Sequence, residues 1–205
     1  MARAAQPRAV FASHNAHKRT EVWSILEPLL PAWTSSDLAA ASDFSLPPAV
    51  EDGLTFAENA LVKARAVCAA TGLPAIADDS GIAVDVMGGA PGIFSALWSG
   101  AHGADEANVH LLLAQLIDIA EEHRGAAFVC AAVLVMPDGR EVVCEGRLEG
   151  RIADAPAGVG GFGYDPIFIP VGYDVTTAEV TASQKNAISH RGRAFTALAP
   201  HLVTL

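Results

Sequence analysis

Two adjacent carboxylates, Asp78 and Asp79, follow the apolar run Ala75-Ile76-Ala77 and precede Ser80-Gly81. Hard oxygen ligands of this kind suit Mg²⁺, which takes one or two carboxylates and completes its shell with water and phosphate oxygens. In a strand, neighbouring side chains point to opposite faces, so a bend at Gly81 or a strand end is needed for both acids to face one site. Asp-Ser-Gly is equally good chemistry for a solvated turn. Glu51 and Asp52 lie just ahead of a helix, where they add a metal ligand or simply favour the helix dipole. Lys63 and Arg65 fall inside that helix, and only tertiary context could turn Lys63 from solvent to an anion.

Three further stretches offer groups for an anionic or aromatic ligand. Ser13-His14-Asn15-Ala16-His17-Lys18 joins a short strand to a helix, which sets backbone N–H groups, a positive helix end and a full charge together. The same text also describes an ordinary helix start. Gly160-Gly161-Phe162-Gly163-Tyr164-Asp165-Pro166 places an aromatic among glycines, where the backbone can approach a ligand and the ring can stack on a base. A β-bulge with its aromatic tucked inward fits it as well. Lys185 and Ser189-His190-Arg191-Gly192-Arg193 gather cations in one helical stretch, with Lys185, Ser189 and Gly192 near one face. They also read as a solvated basic helix end. Ser80, His190 and an Asp could be named as a nucleophilic triad, but no Gly-x-Ser-x-Gly elbow accompanies them.

The elements that must position these groups are legible from periodicity and caps. Arg8–Ser13 is a short buried strand, and a helix carrying Val22, Ile25, Leu26, Leu29 and Leu30 on one face stops at Pro31. Residues 34–53 read as an irregular connection. Thr55-Phe-Ala-Glu58 is a capping box for a helix that ends at Thr71, with Gly72 and Pro74 beyond it. Pro74–Met87 reads as two short β pieces around Asp78–Gly81. Ala104–His123 is an amphipathic helix, and Phe128–Met136 with Arg140–Glu149 forms a hairpin across Pro137-Asp138-Gly139. A strand at Pro166–Ile169 and a last helix from Thr181 to Leu198 complete an α/β or α+β fold with a mixed sheet.

The chain has 205 residues, about half of them apolar, which suits one domain, or one core with a smaller lobe. Residues 1–7 are expected to be a flexible tail. A formal charge of -10, from 13 Lys+Arg against 23 Asp+Glu, argues against a nucleic-acid polymer as partner but not against a small phosphorylated ligand. Cys68, Cys130 and Cys144 fit no metal-ligand spacing and suit buried thiols in a reducing cytosol. No apolar run approaches membrane-spanning length and no secretory h-region follows Arg3 and Arg8, so a cytoplasmic location is expected.

Taken together, the motifs resemble one family, the inosine/xanthosine triphosphate pyrophosphatases (RdgB/HAM1). The matching text is Ser13-x-Asn15-x-x-Lys18-x-x-Glu21, Glu51-x-Gly53-x-Thr55-Phe56-x-x-Asn59-Ala60-x-x-Lys63-Ala64, Ala77–Gly81, Gly88–Gly92, Gly160–Pro166 and Ser189–Gly192, in the family's order over nearly the whole chain. The resemblance implies an elongated central mixed sheet flanked by helices in two lobes, an ITPase/Maf-like arrangement with the active-site cleft between the lobes, and a homodimer. It implies Mg²⁺-dependent hydrolysis of dITP, ITP or XTP to monophosphate and pyrophosphate, a house-cleaning reaction of the nucleotide pool. By the same resemblance, Ser13, His14, Asn15, Ala16, His17 and Lys18 cradle the triphosphate. Asp79 accepts the proton of the attacking water, and Glu51, Asp78 and Asp79 form the metal set. Lys63 is a phosphate ligand and Ser80 touches substrate. Phe162, Gly163, Tyr164 and Asp165 hold the base, with Lys185, His190 and Arg191 reaching base and phosphates. The sequence departs from the family pattern at His14 and His17, where many relatives have glycine, and at Leu97-Trp98, where an Arg-Tyr pair is frequent. A Maf-like pyrophosphatase of other modified nucleotides and a non-catalytic nucleotide-binding module are the alternative readings.

Overall fold

Residues 6–13 and 16–205 are described in the computed structural model, the side chains of Ala16 and His17 excepted. Most of the expected tail, residues 1–5, and the loop positions His14 and Asn15 lie outside the described residues. Six strands form one sheet: β1 (Ala9–Phe11), β2 (Leu38–Ala40), β3 (Ala75–Val84), β4 (Gly125–Val135), β5 (Glu141–Ile152) and β6 (Phe168–Pro170), in the order β2-β1-β3-β4-β5-β6. β1 pairs in parallel with β2 and β3, while β6 runs antiparallel to β5, so the sheet is mixed as expected. The helices are α1 (Ala16–Leu26), α2 (Phe56–Thr71), α3 (Asp105–Gln115), α4 (Ala182–Ile188) and α5 (His190–Leu202). No helix among the described residues is long and apolar enough to cross a membrane.

The chain forms two compact units, each assembled from separated segments. The first comprises Met1–Asp79, Cys130–Gly146 and Arg191–Leu205. Its sheet strands are covered on both faces, which is why β1 is apolar at every position. Strand alternation sends Phe11 and Ile76 to one side, where they pack with Leu26 and Leu30 and with Phe195, Leu198 and Leu202 of α5. Val10, Ala75 and Ala77 go to the other side and pack on Ala60, Ala64 and Val67 of α2. The second unit comprises Ser80–Val129 and Arg147–His190, with Ile82, Val84, Leu112, Phe128, Ile152, Ile167 and Phe168 in its core.

Several boundaries differ from the sequence reading, each for a physical reason. The connection over 34–53 contains β2, a three-residue strand too short to show a period. Pro74–Met87 holds a single ten-residue strand rather than two pieces. Gly81 is no bend within it. A Cβ there would lie 2.3 Å from Ser95 Oγ and 2.6 Å from the Gly92 carbonyl oxygen, so the position is glycine because another segment packs against it. α2 starts at its expected cap, with Thr55 Oγ1 accepting the Glu58 N–H. The reciprocal half of the box is displaced by one residue, since Glu58 accepts from the Leu54 N–H. α3 ends at Gln115, short of His123. The buried Arg124 guanidinium donates to the carbonyls of Leu116 and Ile119 and satisfies the unwound turn. The last helix breaks at Ser189, whose ψ of 151° is extended, so the one-face relation of Lys185, Ser189 and Gly192 does not hold.

Candidate active site

β3 carries Asp78 and Asp79 through the middle of the first unit without a bend, so the two acids keep strand alternation and face opposite ways. Asp78 shares its side with Ile76 and meets the first turns of α1 and α5. Its Oδ2 lies 3.4 Å from Lys18 Nζ and accepts from Arg191 Nε at 3.1 Å. Arg191 also donates through Nη1 to Glu21 Oε2 at 2.7 Å, and its side chain is fully buried. Burial alone would push the Asp78 carboxyl up, but Lys18 and Arg191 outweigh it and hold the group well below the usual carboxylate range. Burial likewise opposes the Arg191 charge, and Asp78 and Glu21 overcome it.

Asp79 shares its side with Ala77 and faces α2. Lys63 Nζ stands 3.0 Å from Asp79 Oδ1 and 3.1 Å from Glu51 Oε2. Asn59, buried one turn before Lys63, donates from Nδ2 to Asp79 Oδ2 at 3.4 Å and accepts the Gly53 N–H at 2.8 Å. That second bond ties the segment carrying Glu51 to α2. Burial raises the Asp79 pKa, opposed by Lys63 and reinforced by Glu51. Burial would also lower Lys63, but Asp79, Asp78 and Glu51 raise it. Arg65 pairs with Glu141 at the surface.

A divalent cation fits the donor chemistry on the Asp79 side. One ammonium already sits within reach of both Glu51 and Asp79, so their oxygens are arranged around a cation's place. Among the described residues no three His, Cys, Asp or Glu side chains converge on one point. The two carboxylates of Glu51 and Asp79 suit Mg²⁺, which is held by one or two carboxylates and takes its remaining oxygens from water and phosphate. Asp78 faces the other way, although its Oδ1 is buried and accepts no hydrogen bond among the described residues.

In the second unit the glycine-rich loop is organised by Asp165, which is 2% exposed. Its Oδ2 accepts the Phe162 N–H at 2.8 Å and pairs with Lys185, and its Oδ1 accepts the Thr177 hydroxyl at 2.8 Å. Gly161 has φ +72°, and a Cβ there would run into the Asp165 carboxylate, so only glycine lets the loop wrap its own acid. Phe162 is 41% exposed, with Lys185 Nζ 5.0 Å from its ring centroid. Tyr164 is buried and donates to the Ser95 carbonyl, so its side chain serves the loop's framework. Burial pushes that phenol up. Gly163 N–H donates to Asp105. The loop and the start of α3 border a cavity of about 330 Å³. His190 stacks on Phe128, centroids 4.9 Å apart.

The first unit therefore gathers Lys18, Glu51, Lys63, Asp78, Asp79 and Arg191, and the second gathers Phe162, Gly163, Tyr164, Asp165 and Lys185. Ser13 is half-buried after β1, its N–H on the Phe11 carbonyl, and Ser80 is half-buried in β3. Ala16 and His17 are placed by backbone alone, in the first turn of α1. Glu21, Asn59 and Thr177 join these networks as residues to which the sequence reading gives no role. Glu21 and Asn59 stand inside the motif text, which was their signal; Thr177 had none.

The Ham1 family model matches residues 9–201. The chain is 59% identical over 194 residues to the dITP/XTP pyrophosphatase of Streptomyces coelicolor, covering 94% of this chain and 96% of that one. Among solved structures it is similar to a HAM1 protein from Coxiella burnetii, with a TM-score of 0.87 and 37% identity over 98% of this chain and 100% of that one. It is also similar to a nucleoside-triphosphatase, dITP/XTP pyrophosphatase, from Mycobacterium abscessus, with a TM-score of 0.76 and 51% identity over 94% and 98% of the two chains.

Proposed function

Because the chain belongs to the Ham1 family, we propose that it is a pyrophosphatase that hydrolyses non-standard purine nucleoside triphosphates, dITP, ITP and XTP, to the monophosphate and pyrophosphate. The observation that carries the reading is Asp79, a buried carboxylate held at its two oxygens by Lys63 and Asn59, beside Glu51. Water attacks the α-phosphorus, the bond to the bridging oxygen breaks, and pyrophosphate leaves. Asp79 orients that water and accepts its proton, and burial, which raises its pKa, makes it a better base than an exposed aspartate. Lys18 and Lys63 place positive charge on the phosphates, where negative charge develops in the transition state. Ser13 and the backbone that starts α1, with His14, Asn15, Ala16 and His17, complete the phosphate cradle. Glu51 and Asp79 would hold Mg²⁺, with Asp78 the remaining acid of the set, and the ion when bound supplies further neutralisation of phosphate charge.

The exposed face of Phe162 offers a ring for the purine, worth roughly 1–3 kcal/mol if the base stacks on it. Gly163, Tyr164 and Asp165 keep that ring in place, with Ser80, Lys185 and His190 as polar partners, while Arg191, fully buried against Asp78 and Glu21, holds Asp78 rather than the base. A donor set matched to a 6-oxo purine leaves the amino group of adenine unpaired, which yields large discrimination. The proposal includes a homodimer in the cytoplasm.

The test is pyrophosphate release from dITP, XTP, dGTP and dATP, with Mg²⁺ and with EDTA, by the unmodified chain and by Asp79→Asn. Strong Mg²⁺-dependent turnover of dITP and XTP is expected, with intact pyrophosphate as product. Asp79→Asn should lower kcat by about 10²–10⁴-fold while nucleotide binding is retained. Stepwise release of orthophosphate, or no turnover of any of the four, would refute the assignment.

A further inference from the structure

In the free protein the point between Glu51 and Asp79 is held by the ammonium of Lys63, 3.1 Å from one carboxylate and 3.0 Å from the other. The Lys63 and Asp79 side chains are only 13% and 12% exposed, so water screens this pair weakly. Asp79 cannot easily follow the ammonium away, although the Glu51 side chain is 43% exposed. Asp79 is fixed by its strand and by Asn59, and the same Asn59 accepts the Gly53 N–H and tethers the segment bearing Glu51. Lys63 carries its point charge at the end of a flexible four-carbon stem, which lets the ammonium turn to another anion.

Resting on the pyrophosphatase reading, we propose that Lys63 is an internal cation that competes with the divalent metal for Glu51 and Asp79, and that triphosphate resolves the competition by drawing the ammonium onto its own oxygens. A metal ion attracted to these carboxylates meets a like charge already seated there, so metal alone binds weakly. A triphosphate offers Lys63 other anionic partners and brings oxygens to the metal. Metal and triphosphate therefore reinforce each other's binding, and by linkage the reinforcement is reciprocal. Lys63 acts as a positioning residue in this role, since it keeps the metal site closed to bare ions and then turns to substrate.

The experiment measures Mn²⁺ binding to the EDTA-treated full chain without nucleotide, by the electron paramagnetic resonance of the free ion. Lys63→Met and Lys63→Gln should bind Mn²⁺ roughly tenfold more tightly than the unmodified protein, while Lys63→Arg, which keeps the charge, should stay close to it. Equal or weaker binding by folded neutral variants would overturn the proposal. An Mg²⁺ titration of the unmodified protein, followed at the side-chain Cε resonance of Lys63, needs no variant to fold. Movement of that resonance in step with metal binding supports displacement, and a resonance that stays fixed while Mg²⁺ binds overturns it. Failure here is separable from failure of the functional reading. Turnover of dITP without a Lys63 effect removes this inference alone, whereas a Lys63 effect on metal in a chain that hydrolyses none of the triphosphates removes the pyrophosphatase assignment and leaves the competition standing.

Discussion

Asp78 has no exposed side-chain area and is held between Lys18 and Arg191, and Arg191 is itself buried against Glu21. Taking one member from such a network leaves the others charged and unpaired in a dry place. Asp78→Ala should therefore cost about 3–5 kcal/mol of stability at neutral pH, read by urea unfolding. The pH dependence follows from the lowered pKa of the native carboxyl. The unfolded chain binds the proton near the usual 3.8 and the native state only below that, so the contribution is present above 3.8 and is lost as pH falls through the native value. The penalty of Asp78→Ala should accordingly shrink in acid, and a penalty that stays constant down to pH 2 would contradict it. Asp79 has the opposite sign, because burial raises it. The reactive residue types were legible in the sequence: two acids, Glu51, and lysines at motif spacing. Which cation meets which acid was not, because that is decided by strand parity against helices from distant parts of the chain.

At the level of elements, β3 is instructive. Asp-Asp-Ser-Gly looks like an interruption, since acids and glycine have low strand propensity. The interruption vanishes once Lys18, Arg191, Lys63 and Asn59 supply partners for the acids, an example of tertiary context overriding local preference. The glycine has its own partner. Ser95 Oγ accepts the Ile82 N–H at 2.9 Å and donates to the Gly92 carbonyl, which brings that segment against Gly81. Gly81→Ala should force it apart and destabilise by about 1–3 kcal/mol, as overpacking does, with thermal unfolding as the measurement. An unchanged Tm would mean that the Gly92–Leu97 turn yields freely. α2, by contrast, was legible at both ends because its signals are local: Thr55 caps its start, and Gly72, with φ +69°, donates to the Cys68 carbonyl at its end. The break at Ser189 was hidden, since an extended serine between two helical runs leaves no mark on periodicity.

For the molecule as a whole, composition and hydrophobic pattern were enough for a mixed sheet flanked by helices, and the motif order was enough for the family. The resemblance implied two lobes, but the boundaries of the two units were not readable, because each unit is stitched from separated segments whose ends carry no linker signature. α5 illustrates the consequence for stability. Its Phe195, Leu198 and Leu202 are fully buried in the first unit, beside Phe11, Ile76 and Leu26. A chain ending at Ser189 should leave that unit without its tertiary fold, seen as loss of cooperative unfolding and of the near-ultraviolet signal of Trp33. A cooperative transition in the shortened chain would show instead that the remaining segments suffice.

The late position of α5 also sets a timetable for the nascent protein. Asp78 and the strand that carries it are made well before Arg191, which pairs with its carboxylate. At ~5–20 residues per second the interval is on the order of ten seconds. Throughout it the apolar face carrying Phe11 and Ile76 lacks the cover that Phe195, Leu198 and Leu202 supply, so this side of the sheet is the surface a chaperone would meet on the ribosome, and it closes only after α5 has been synthesised.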